Sequence, residues 1–132
     1  MSSAGYSGTP LAKKLGIKPS ARVALVTAPA GLEAQLGPLP EGASLKRRAG
    51  HAELTLWFVT RNAELRRRVA RMAEILGRDG IWIAWPKKGS RLATDVTQND
   101  VRHAGLDHGL VDFKICAIDE DWSALKFQRR KS

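Results

Sequence analysis

Arg22-Val23-Ala24-Leu25-Val26-Thr27-Ala28-Pro29-Ala30-Gly31 is the stretch on which the reading of this sequence turns. From Val23 to Val26 it is apolar without alternation, the pattern of a strand covered on both faces of a parallel sheet. Two more runs share that pattern, Leu54 to Val59 (LTLWFV) and Gly80 to Trp85 (GIWIAW). Between them lies the clearest helix of the chain, opening at Arg61-Asn62-Ala63-Glu64 and running to Leu76, with Gly77 as its stop. Leu65, Val69, Met72, Ala73 and Leu76 share one side of that helix, so one face packs on a sheet. Glu64 with Arg68, and Arg71 with Glu74, stand at ion-pairing separations, which makes part of the arginine run a solvated, locally neutralised face.

The flanking segments complete the alternation. Leu11 to Leu15 reads as a short amphipathic turn ended by Gly16. Ala30 to Leu36 forms a brief helix stopped by Gly37-Pro38, and a weak strand follows at Ser44 to Arg47. Thr97 and Asp100 make a capping signal for a helix to about Leu106. Leu110 to Ile118 then pairs with Trp122 to Gln128 across Asp119-Glu120-Asp121. The expected fold is α/β and Rossmann-like: a mostly parallel sheet, helices on both faces, and a C-terminal antiparallel hairpin. Residues 1–10, rich in Ser and Gly, read as a flexible arm with Tyr6 as an anchor, 11–128 as a single domain, and 129–132 as a basic tail. One join strains this picture. Ala49 to Glu53 reach about 17 Å at full extension, whereas a parallel crossover usually takes a dozen residues or more. Either that loop crosses the sheet fully stretched, or the weak strand is antiparallel or absent.

Composition bounds the function. The chain has 132 residues, 43% of them hydrophobic, enough for one core. No apolar run is long enough to span a bilayer, and the start lacks the apolar segment of a secretory signal. A single cysteine, Cys116, leaves no internal disulfide framework and fits a reducing, cytoplasmic compartment. The formal charge of +9 favours anionic partners, either a small phosphorylated ligand or nucleic acid. That charge is scattered, at Lys13-Lys14-Lys18, Arg47-Arg48, Arg66 to Arg71, Lys87 to Arg91 and Arg129 to Lys131. Scattered charge is more often a solvated surface than a binding face.

From Leu11-Ala12-Lys13-Lys14-Leu15-Gly16-Ile17-Lys18-Pro19 through Ser20-Ala21-Arg22-Val23, the chain resembles the lead-in of class I methyltransferases. Gly80-Ile81-Trp82-Ile83-Ala84-Trp85-Pro86 is similar to their fifth strand, and the terminal hairpin to their last two strands. Across nearly its whole length the chain more closely resembles a bacterial domain-of-unknown-function family of small Rossmann-like proteins. That likeness rests on Ser7-Gly8-Thr9-Pro10, Trp85-Pro86-Lys87-Lys88, Val111-Asp112 and Asp121-Trp122-Ser123, and it implies a fold without an activity. Two departures from the methyltransferase pattern fall in one pocket. Glycines that let backbone approach S-adenosylmethionine are replaced by Thr27-Ala28-Pro29-Ala30, leaving Gly31. Where an acidic residue would hold the ribose hydroxyls, Lys46-Arg47-Arg48 stand instead. The sequence therefore argues against S-adenosylmethionine, and no cofactor is expected.

What remains is anion chemistry at strand ends, where open α/β sheets collect ligands. The candidate ligand-binding residues are Thr27 and Gly31, Arg61, and Lys87, Lys88, Ser90 and Arg91; backbone amides with Lys or Arg suit a phosphate or carboxylate. His51, His103 and His108 have no partners at metal-ligand spacing. Cys116 reads as a small buried residue without a nearby base. Trp85 and Trp122 could reach a rim and stack on a base. No nucleophile or acid–base pair stands out, so no catalytic residue is assigned. The sequence favours a non-catalytic binding or regulatory module. A nucleic-acid-associated basic protein and a methyltransferase-like enzyme with an anionic substrate are the alternatives.

Overall fold

The three apolar runs lie side by side as parallel strands, in a computed structural model that describes residues 9–131. Tyr6 and most of the expected arm lie outside the described residues. In chain order the elements are α1 (Leu11–Lys14), β1 (Arg22–Val26), α2 (Leu32–Leu36), β2 (Ser44–Lys46) and β3 (Leu54–Phe58). There follow α3 (Asn62–Glu74), β4 (Ile81–Pro86), α4 (Gln98–Leu106), β5 (Leu110–Ala117) and β6 (Trp122–Arg129). They form one six-stranded sheet in the order β2-β1-β3-β4-β6-β5. The first four strands are parallel, and β6 returns antiparallel to β4 and β5.

Side-chain alternation on the central strands divides the interior into two cores. Val23, Leu25, Leu54, Leu56, Phe58 and Trp82 pack under α1 and α2 with Leu15, Leu32 and Leu36. Val26, Trp57, Val59, Ile81, Ile83 and Phe127 pack under α3 and α4 with Leu65, Val69, Met72 and Val101. The α3 stripe read from the sequence is thus the buried one. Trp57 is fully buried while its indole N–H finds no acceptor among the described residues. Burying some 200 Å² of ring contributes about 5 kcal/mol, against about 1–3 kcal/mol for the unmet donor, so packing prevails. Asp100 and Thr97 form the anticipated reciprocal cap of α4, with Asp100 N donating to Thr97 Oγ1 at 3.2 Å and Thr97 N to Asp100 Oδ2 at 2.9 Å.

The strained join resolves in favour of a parallel β2, three residues long. Lys46 lies level with Ala24, and Leu54 with Val23, so the chain retraces only about one residue along the strand axis. Crossing β1 means covering two inter-strand spacings, about 10 Å, and residues 46 to 54 reach roughly 28 Å. A full-length crossover helix is unnecessary because β2 is short, and no fully stretched loop is needed. The link is fastened at its far end. Glu53 accepts from Arg22 N at 2.6 Å, Arg22 Nε at 3.2 Å and Arg22 Nη2 at 2.8 Å, which holds its carboxyl down to about 2. Its backbone lies against Gly77, where an added Cβ would stand 1.9 Å from the Ala52 carbonyl oxygen. Neither group is the free end of a flexible side chain, so Gly77→Ala is expected to destabilise by about 2 kcal/mol. Thermal unfolding should show Tm lowered by roughly 5–10 °C; an unchanged Tm would mean the link does not bear on Gly77.

Candidate functional site

The sheet reverses direction of winding between β1 and β3: the chain leaves β1 toward β2 and leaves β3 toward β4. The carboxyl ends of β1 and β3 therefore form the switch-point crevice where ligands of open α/β sheets bind. Thr27 sits at its centre with a positive φ of 52°, an uncommon state for a β-branched residue. Its hydroxyl, with one proton to share, lies within hydrogen-bonding reach of the carbonyl of Val26 at 2.6 Å and of that of Phe58, so one side chain stitches the ends of β1 and β3 together. That bridge offsets a backbone cost of about 1–3 kcal/mol. Gly31 also has positive φ, and the space where its Cβ would be is open. Among the described residues, no protein acceptor takes the amides of Ala30 and Gly31.

Arg47 closes the β2 side of this crevice. Its Nη1 donates to the Ala28 carbonyl and its Nη2 to the Pro29 carbonyl, both at 2.9 Å. The same guanidinium grips Glu33 of α2 through Nε at 2.6 Å and Nη2 at 2.9 Å. This two-pronged contact holds the Glu33 carboxyl down to about 2. The basic run after β2 thus does something its composition does not reveal: Arg47 braces the loop of Thr27 to Gly31.

The other candidates lie along the same edge. Arg61 is exposed just before α3, whose first turn is pinned by Asn62 Nδ2 donating to the Asp95 carbonyl at 2.6 Å and to Asp100 Oδ2 at 3.0 Å. Lys87, Lys88, Ser90 and Arg91 follow β4, one strand beyond β3. No ion pair involves Lys87, Lys88 or Arg91 among the described residues. Ser90 Oγ accepts from Leu92 N at 3.0 Å and so shapes its own turn. The acidic turn of Asp119 to Asp121 adjoins this loop, since Lys87 N donates to the Asp121 carbonyl at 2.7 Å. Asp119 is engaged with the Asp121 and Trp122 amides and with Gln35 Nε2, as a hairpin-turn aspartate commonly is.

Several expectations change. Trp85 and Trp122 are 5% and 6% exposed, so neither offers a stacking rim. Cys116 is buried as expected, and burial pushes its thiol up. Among the described residues, no cluster of His, Cys, Asp or Glu suits a metal, and no helix is long and apolar enough to cross a membrane. The sequence reading also missed a cleft of about 340 Å³ on the α3 side of β1 and β2, lined by Arg22, Ala24, Lys46, Arg48, Gly50 and His51. It exists because a bare link takes the place of a crossover helix; the short Ala49 to Glu53 spacing was its one signal.

Comparison with solved structures identifies the fold as that of class I methyltransferases. Ribosomal protein L11 methylase from Lactobacillus delbrueckii subsp. bulgaricus matches 92% of this chain and 75% of its own, at TM-score 0.60 and 12% identity. A SAM-dependent methyltransferase from Aquifex aeolicus matches 87% and 85%, at TM-score 0.58 and 12% identity. Magnesium protoporphyrin IX methyltransferase from Synechocystis PCC 6803, with SAM (S-adenosylmethionine) bound, matches 92% and 74%, at TM-score 0.53 and 8% identity. No family model and no curated protein matches the chain. These neighbours overturn the expectation that no cofactor is involved and that S-adenosylmethionine is disfavoured; they point toward it. The crevice is set by strand order and not by the glycines, and the loop backbone still lines it.

The Arg47 brace gives a direct measurement. With its pKa lowered, Glu33 favours the folded state above its ordinary pKa near 4.5, and that contribution disappears as pH falls through about 2. The pair is exposed, so its share of stability is small. Side-chain NMR titration should place Glu33 near 2 and shift it upward, toward its ordinary value, in Arg47→Met; an unchanged Glu33 would remove Arg47 from the loop.

Proposed function

We propose that this chain is a methyltransferase-fold module that binds S-adenosylmethionine in the crevice between the carboxyl ends of β1 and β3. The observation that carries this reading is the position of the Thr27 to Gly31 loop. It lies at the switch point, with open space at Gly31 and the amides of Ala30 and Gly31 free of acceptors among the described residues. Those two amides suit the hydrogen-bond acceptors of such a ligand. The fit is partial, because Arg47 stands where a ribose-binding carboxylate would be expected. Its guanidinium holds the loop instead of offering an acceptor.

Bound there, S-adenosylmethionine supplies an electrophilic methyl group. The chain's own part is to bind and orient. Lys87, Lys88 and Arg91, with the Ser90 turn, form the basic side of the same edge and suit an anionic acceptor. Arg47 favours a binding or regulatory version of this function, since it braces the loop from the position a ribose contact would take.

Thermal unfolding with S-adenosylmethionine tests the proposal. At about 100 times its dissociation constant, the ligand adds roughly 2.7 kcal/mol, raising Tm on the order of 10 °C. Inorganic phosphate alone should give a much smaller rise. No shift with millimolar S-adenosylmethionine, or an equal shift with phosphate, would overturn the proposal. Methyl transfer to an anionic acceptor would establish the enzymatic version, and binding without transfer the regulatory one.

A further inference from the structure

Away from the carboxyl edge, the α1 side of β5 and β6 carries a cluster of lysines around aromatic rings. Lys114 and Lys126 occupy directly opposed positions of the antiparallel pair. Like charges placed so destabilise a sheet. Neither lysine, nor Lys14 at the end of α1, has an ion-pair partner among the described residues. Lys18 lies close by but is neutralised by Asp79 at 3.2 Å. Lys126 is half-buried, with Nζ 5.6 Å from the centre of the Trp82 ring and 6.0 Å from that of Phe113. Burial first, then the charges of Lys114 and Lys18, lower its pKa, with Asp79 opposing.

Phe113 is the extra residue of a β-bulge between Asp112 and Lys114, and it is 57% exposed. Val111 on the same strand is 39% exposed. Bulges on edge strands re-aim side chains, and here the bulge sets an aromatic ring beside the unpaired lysines. A solvated charged face would not require an exposed phenyl ring, and an apolar protein interface would not require opposed lysines.

We propose that this face binds single-stranded nucleic acid, with a base stacked on Phe113 and the backbone phosphates met by Lys14, Lys114 and Lys126. Sheet faces that bind single strands combine these two elements, a stackable ring and a basic track. An anion between Lys114 and Lys126 also relieves their mutual repulsion, which the charge of Asp79 opposes only at Lys126. The face is independent of the crevice proposed for S-adenosylmethionine.

The test is fluorescence anisotropy with a labelled oligouridylate on the order of 12 nucleotides, using the full chain at low and moderate salt. Binding is expected to fall steeply with salt. Phe113→Ala should weaken it about tenfold, and Leu92→Ala, at another exposed apolar residue, should not. Lys114→Glu gives the sharpest contrast: it turns the opposed lysines into an ion pair, so Tm should rise while binding is lost. That separates lost contact from lost fold. Undetectable binding by the wild type at low salt, or Lys114→Glu binding as well as wild type, would overturn the proposal. So would equal affinity for a duplex of the same length or for phosphatidylserine vesicles, since neither offers an unstacked base.

Discussion

The residues of β3 have no exposed face. Leu54, Leu56 and Phe58 point into the core under α1 and α2, and Trp57 with Val59 into the core under α3 and α4. A strand of this kind must lie inside a sheet with a layer on each side, because either face left bare would expose large apolar area. Since β1 and β4 flank it in parallel, the chain must wind outward in both directions. The crevice at the carboxyl ends of β1 and β3 is a consequence of that winding. Double-sided burial thus leads to strand order, and strand order to the place where a ligand can sit.

The short link between β2 and β3 shows how far this plan tolerates reduction. Three residues of β2 suffice to pair with β1, so the return path is brief and needs no helix. Arg22 and Glu53 secure the end of the link, and Gly77 leaves room for its backbone. The saving leaves a cationic cleft where a helix would otherwise cover β1 and β2.

Much of the architecture could be read directly from residues. Strand-like apolar runs, the α3 stripe and the Thr97–Asp100 cap are local patterns with local physics, and each appears where expected. Side-chain partnerships set by tertiary approach could not be read so. Arg47 meets Glu33 and the loop carbonyls only once α2 has brought the loop back beside β2. The Thr27 hydroxyl reaches Phe58 only because β1 and β3 are neighbours. The bulge at Phe113, and with it the opposition of Lys114 to Lys126, depends on a register that hydropathy does not fix. The misjudged cofactor has the same origin: a missing glycine pattern is local, while the crevice is topological.

Two surfaces emerge with different chemistry: a carboxyl edge with open backbone donors beside a basic loop, and a lysine-rich sheet face around Phe113. Their separation makes the central claim, that the edge is the nucleoside site, accessible to residue-level mapping. The most direct test is amide chemical-shift mapping of the labelled chain during titration with S-adenosylmethionine. Saturable shifts concentrated in residues 27–31, 60–61 and 87–91 are expected, with residues 111–116 unmoved. Saturable shifts confined to the cleft at residues 46–52, or no shifts at all, would contradict the account.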